Sequence, residues 1–318
     1  MNTFTKTYKI PASADNLELS LMVVEPESSP IGVVQLVHGM CEHKERYIPF
    51  MEFLASNGYA CVIHDHRGHG ESVKDSEDLG YMYKGGWKAM VEDTKVVCDW
   101  AKSEYSSIPH TLFGHSMGSL VVRCFAKRYD NCIDKLIVCG SPSANPVAGV
   151  GVGIAKITAF FHGERYRPAL LQNMSLGSYN KRFESEGWPN AWLCKDEEIL
   201  KAYLEDPLCQ FRFTCNGFIC LLKLMKDCYS AKGWKSPNAS LPVYFISGSD
   251  DPCAVSEEAI GEAAEFMRSV PRLLSSSIPV CAMRSSMRWV RKRSGTTFLR
   301  WSSNGSRREI YARGTQGG

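Results

Sequence analysis

One pentapeptide restricts this chain more than any other feature. The short apolar segment Thr111–Gly114 runs into Gly114-His115-Ser116-Met117-Gly118, and a helical pattern, Leu120–Tyr129, follows. A GxSxG run between strand and helix demands a tight turn. Its glycines let neighbouring backbone approach a serine held in a strained conformation with its hydroxyl exposed. A buried loop serine is the alternative reading, and the strand and helix patterns on either side argue against it.

The rest of the body supports that placement. Leu17–Val24, Gly32–Val37, Tyr59–Asp65, Lys135–Val138 and Pro242–Ser247 read as strands, and Trp87–Trp100 has apolar residues at helical spacing. Strands alternating with helices predict a mostly parallel sheet covered on both faces, and near-continuous apolar strands fit that burial. Asn145–Trp234 breaks the rhythm with aromatics and no clear strand. Helices are expected there at Gly149–Phe161, Glu197–Leu204 and Phe218–Tyr229, forming a cap insertion too long for a plain crossover. The expected division is an α/β core over 1–144, a helical cap over 145–235, a core continuation over 236–268 and a tail over 269–318.

Composition narrows the class. The chain has 318 residues, 44% hydrophobic and 22% charged, which suits a folded domain with a sizeable core and excludes a fibrous or disordered protein. No apolar run is long enough to span a membrane, and the N-terminus has no signal-peptide core. Thirteen cysteines, with no CxxC and no Cys/His run at zinc spacing, suggest thiols in a reducing, cytoplasmic setting. The net charge of +3 is uneven. From Arg268 onward eleven Lys and Arg face one acid, Glu309, whereas the preceding 267 residues carry a net −7. The Ser-rich basic tail has charge but no recognisable fold or stacking motif for nucleic acid, so no nucleic-acid partner is expected.

Two further segments sit where a hydrolytic serine needs help. His38-Gly39-Met40 follows the Gly32–Val37 strand, where a backbone N–H can donate to an oxyanion. The Met117 N–H, next after Ser116 and at a helix start, would be the second donor. His38 itself reads as a brace for that loop. Asp250 and Asp251 follow the Pro242–Ser247 strand, the place of an acid that orients a histidine, and spacing alone leaves the two open.

With these residues in view, the chain resembles an α/β-hydrolase of the monoacylglycerol lipase and lysophospholipase group (serine aminopeptidase S33-like). The resemblance rests on VHGMCEHKERY (Val37–Tyr47), HDHRGHGES (His64–Ser72), FGHSMGS (Phe113–Ser119) and FISGSDDP (Phe245–Pro252), and it covers about residues 1–268. AWLCKD (Ala191–Asp196) and DPLCQFRFT (Asp206–Thr214) are similar to the bacterial branch. It implies Ser116 as nucleophile, Asp251 as the acid, Met40 and Met117 as backbone donors, and a cap that holds an acyl chain. It implies no metal and no organic cofactor.

One partner is missing. The eight histidines are 38, 43, 64, 66, 69, 110, 115 and 162, and none follows Asp251. Without a base, a serine hydroxyl is a poor nucleophile. His162 lies in the expected cap segment, before the acid and not after it, where the base belongs. The tail offers an explanation. With each codon started one nucleotide earlier, Pro279–Trp289 and Val290–Arg300 are compatible with PGVRHEVLNEVGKKEEWDDFLE, and a histidine codon straddles Ala282 and Met283. That composite resembles the group's histidine loop and final helix. The expectation is a frame slip near Val270, a tail that is out-of-frame translation, and a sheet lacking its last strand and packing helix.

The expected activity is hydrolysis of carboxylic esters, such as monoacylglycerols or lysophospholipids, attenuated in the chain as written. Rival readings are a peptidase or thioesterase of the same fold and a non-catalytic binding protein on this scaffold. Val150–Phe161 is expected to pack inside the cap, with peripheral membrane contact as its second use.

Overall fold

Near-continuous apolar strands need cover on both sides, and the chain supplies it from helices that lie between them in sequence. The fold is described by a computed structural model over residues 3–234, 238, 240–248 and 250–269, with three short strands beyond them. β1 (Thr3–Pro11), β2 (Glu18–Pro26), β3 (Gly32–Val37) and β4 (Tyr59–His64) are followed by β5 (His110–His115), β6 (Lys135–Cys139) and β7 (Val243–Gly248). With β8 (Met283–Ser285) they form one sheet in the order β1-β2-β4-β3-β5-β6-β7-β8. β1 pairs with β2 and β2 with β4 antiparallel, and every pair from β4 to β8 is parallel.

The pleat divides the core. Val34 and Leu36 of β3 join Cys61, Ile63 and Phe113 on one face, covered by Met51 and Ala55 of α1 (Ile48–Ser56). The opposite face packs on α2 (Gly86–Glu104) and α3 (Met117–Tyr129) through Val97, Ala101, Leu120 and Val121. All six β3 residues are buried, and a side chain such as Leu36 contributes about 1.5–3 kcal/mol by leaving water. A charged residue on this strand would oppose that contribution directly.

Between β6 and β7 lie α4 (Ala148–His162), α5 (Ala169–Arg182), α6 (Glu197–Glu205) and α7 (Cys215–Cys228), and α8 (Glu257–Ser269) follows β7. Asp196 caps α6 by accepting from the Glu198 and Ile199 N–H groups, and Thr214 caps α7 through Gly217 N–H. α7 lies against both α3 and α2, with Phe218, Leu224 and Cys228 in the main core. The insertion's last helix therefore doubles as core cover.

α4 departs from expectation. Ala148, Gly151 and Ala155 are buried, Gly151 against Leu222, while Val150, Ile157, Phe160 and Phe161 are exposed. The small residues form the seam with α7, so the large apolar ones are turned outward. α5 has no counterpart in the sequence reading because ALLQNMSLGSYNKR mixes polar and apolar positions and buries only Leu171. The sheet's last edge also differs from expectation, because β8 pairs in parallel with β7. A strand edge presents unpaired N–H and C=O groups to any extended segment, whatever its side chains. β9 (Arg288–Arg291) and β10 (Thr297–Arg300) pair antiparallel in a separate two-stranded sheet. The remaining expectations for the tail, including the displaced histidine codon at Ala282, fall outside the described residues.

Candidate active site

The carboxyl ends of four adjacent parallel strands converge on one place, where open α/β sheets bind ligands. His38-Gly39-Met40 leaves β3, Ser116 leaves β5, Gly140 leaves β6 and Asp251 follows β7.

Ser116 sits between β5 and α3 at φ 51° and ψ −117°, a left-handed region costly for a residue with a Cβ. Its N–H donates to the Cys139 carbonyl at 2.9 Å, and its carbonyl accepts from Ser119 N–H at 2.9 Å and Ser119 Oγ at 2.5 Å. The strained backbone is thus held from both sides. A side chain at Gly114 would meet the Gly118 carbonyl, and one at Gly118 would run into the Val37 and His38 carbonyls. Gly118→Ala is therefore expected to cost about 3 kcal/mol or more, because both obstacles are backbone and cannot turn aside. A urea-unfolding midpoint equal to that of the unsubstituted protein would contradict this.

Gly39 stands beside the serine, and a Cβ built on it would lie 3.1 Å from Ser116 Cβ. This puts the Gly39–Met40 turn next to the elbow. Met117 opens α3, so its N–H has no acceptor within the helix and lies at the positive end of the helix dipole. Asp250 and Asp251 separate clearly. Asp250 is exposed, whereas Asp251 accepts from Ser247 Oγ at 3.0 Å and from Cys253 N–H at 2.9 Å. A Cβ at Gly140, itself at φ +55°, would lie 3.2 Å from Asp251 Oδ2 and 3.7 Å from His115 Nε2. Asp251 is held at the β6 strand end, with the His115 ring close to the same point above Gly140.

Sequence reasoning missed the support under the Met40 turn. Buried Glu42 accepts from Gly39 N–H at 2.5 Å, Tyr47 OH at 3.0 Å and Arg46 Nη1 at 2.9 Å, and its Oε1 lies 3.1 Å from His115 Nδ1. Burial pushes the Glu42 carboxyl up, but the His115 hydrogen bond and the His115 and Arg46 charges hold it down to about 2. An acid followed by His, Lys and Arg directly after a buried strand was the available signal.

The HDHRGHGES run is architecture. His38 Nε2 accepts from His66 N–H at 2.9 Å, so its Nδ1 carries the proton and donates to the Gly39 carbonyl at 2.9 Å. His38 braces the loop, as its position suggested. Arg67 lies fully buried, with Nε 2.8 Å from Asp93 Oδ2 and Nη2 3.2 Å from Asp93 Oδ1. Burial pushes the His64 and His69 imidazoles down to about 4 and those of His38 and His66 well below their usual value of 6.5. The folded protein therefore holds all four neutral, and unfolding lets each take a proton below 6.5. Their contribution is complete above 6.5 and is lost as pH falls toward 4, by about 1.4 kcal/mol per pH unit for each proton taken up. Urea midpoints should thus fall sharply between about pH 7 and pH 5, and a flat profile there would contradict the neutral cluster. His162 stacks on Tyr166 at 4.7 Å between ring centroids, and no contact of its ring with Ser116 or Asp251 is found among the described residues.

A mostly parallel sheet with a strained serine at a strand–helix elbow defines an α/β-hydrolase. The chain belongs to the serine aminopeptidase, S33, family, whose signature matches residues 28–275. It is 27% identical over 186 residues to the monoacylglycerol lipase of Mycolicibacterium smegmatis, covering 58% of each protein. It is 26% identical over 243 residues to the monoglyceride lipase of Mus musculus, covering 75% of this chain and 71% of that one. The match thus spans little more than half the length of the mycobacterial relative. Among solved structures it is similar in fold to a thermostable carboxyl esterase from Bacillus coagulans in complex with glycerol, with TM-score 0.75, 23% identity and coverage of 84% and 87%. Among the described residues no helix is long and apolar enough to cross a membrane, and no cysteine is disulfide-bonded.

Proposed function

We propose that this scaffold hydrolyses single-chain lipid esters, monoacylglycerols or lysophospholipids, with Ser116 as nucleophile. The observation that carries the reading is Ser116 held at φ 51° with Gly39 packed beside it. In this reading the Met40 and Met117 N–H groups would hold the negative charge that develops on the ester oxygen. Asp251 would orient a histidine that takes the Ser116 proton, passes it to the leaving alcohol and then activates water.

The chain as written has no histidine after Asp251, and we infer a frame slip near Val270 as the reason. Its hydrolysis is accordingly attenuated. The insertion 145–235 would form the cap over the acyl chain. Contacts at the strand ends support this: Cys41 Sγ donates to the Phe211 carbonyl at 3.3 Å, and Tyr229 OH to the Pro142 carbonyl at 2.8 Å. The exposed Ile157, Phe160 and Phe161 of α4 would meet the lipid surface that holds the substrate.

The test is a panel of monoacylglycerols, lysophospholipids, thioesters and aminoacyl amides, with Ser116→Ala as control. Hydrolysis confined to the oxygen esters and abolished in Ser116→Ala supports the reading. Preference for the amides or thioesters favours the other hydrolases of this fold. Binding of lipid esters with no turnover even after a histidine is restored favours a binding protein, the reading to which the missing histidine points.

A further inference from the structure

Linear spacing gave no sign of a metal site, yet folding assembles a cluster of donor atoms from two distant parts of the chain. His43, Asp206 and Cys209 each place one nitrogen, oxygen or sulfur within 4.8 Å of the others. His43 follows the Met40 turn, while Asp206 and Cys209 lie between α6 and α7. His43 and Cys209 are buried, and Asp206 is partly exposed.

We propose that His43, Asp206 and Cys209 bind a divalent transition metal, with zinc as the fitting ion, and so staple the Met40 loop to the helical insertion. Imidazole, carboxylate and thiolate are the zinc donor types, and a modest adjustment brings three such atoms to about 2.0–2.3 Å from one ion. The surroundings suit the ion as well. His43 Nε2 faces Asp206 Oδ2 at 2.6 Å, while Nδ1 faces Glu45 Oε2 at 2.6 Å. Once Nε2 turns to the metal, Nδ1–H stays on Glu45, the carboxylate–histidine pairing that orients metal-bound imidazoles. Lys44 Nζ lies 2.6 Å from Glu45 Oε1 and balances that second carboxylate.

The exchange conserves charge. One Zn²⁺ enters and two protons leave, one from His43 Nε2 and one from the Cys209 thiol. The fourth position is left to water. Without metal, the Nε2 proton lies between His43 and Asp206, so that proton and the metal compete for one place.

The test is titration of the purified, metal-stripped full chain with Zn²⁺ alone, followed by Co²⁺ as a spectroscopic probe. One ion per chain is expected, with a thiolate-to-cobalt charge-transfer band that disappears in Cys209→Ser and persists in Cys132→Ser. Glu45→Gln should weaken Zn²⁺ binding roughly 10–100-fold without removing the band. If Cys209→Ser does not fold, Asp206→Asn removes a partly exposed ligand instead and is expected to weaken Zn²⁺ binding. Absence of binding overturns the proposal, as does stoichiometry and affinity that Cys209→Ser and Asp206→Asn leave unchanged. The latter outcome would assign the cluster to proton-bridged ion pairing, with any bound ion held adventitiously by other thiols.

Discussion

Correcting the coding frame near Val270 so that a histidine follows Asp251 raises ester turnover on the order of 10⁴–10⁶-fold. That range is the cost of removing a triad member from a serine hydrolase. In the proposed reading Ser116 is the nucleophile and Met40 and Met117 the donors, and the proposed acid, Asp251, is held by Ser247 Oγ and Cys253 N–H. No histidine follows Asp251 to act as the proposed proton acceptor. The comparison is kcat on a monoacylglycerol for the corrected and uncorrected chains, each with its Ser116→Ala variant. Equal turnover in both chains would mean that the base lies elsewhere or that the serine is not the nucleophile. Reading the gene across this region also bears on the account, because codons that forbid the shifted frame remove the explanation for the tail.

The second large effect is on stability. Arg67→Met is expected to cost about 3–5 kcal/mol, because it leaves Asp93 buried without its counter-charge. The guanidinium meets Asp93 at two points, and its Nη1 lies 3.1 Å from Asp15 Oδ2 and donates to the Lys84 carbonyl at 2.9 Å. The loss therefore ties β4, the start of α2 and the loop after β1 into one event. Removing both charges with Arg67→Met/Asp93→Leu should recover only part of it, because Ser13 N–H and Oγ, which donate to Asp93 Oδ1 at 2.8 and 2.6 Å, then lose their acceptor. Urea unfolding measures both. A loss under about 1 kcal/mol for the single substitution would show the pair to be as weak as a surface bridge.

Strands with one unambiguous pattern were legible in the sequence. Gly32–Val37 reads as a strand from its apolar run and is β3 at the same bounds. Ser116 was legible because GxSxG carries its own backbone requirement. Glu42 was not, since its role depends on Tyr47, Gly39 and His115 meeting across loops, which no local period encodes. α4 shows a second limit. Its apolar content was plain, but which face it buries was decided by Gly151 and Ala155 fitting against α7, so burial was assigned to the wrong residues. Asp250 and Asp251 were inseparable by spacing; the resemblance pointed to Asp251, and the turn after β7 holds that residue while leaving Asp250 exposed. His43, Asp206 and Cys209 lie too far apart in the chain for any motif to join them.

The most direct test of the central claim is mass-spectrometric mapping of a fluorophosphonate adduct on the chain as written and on its frame-corrected form. The account predicts rapid labelling at Ser116 in the corrected chain and almost none in the chain as written. Labelling of the uncorrected chain at Ser116 at the same rate, or of the corrected chain at another residue, would contradict it.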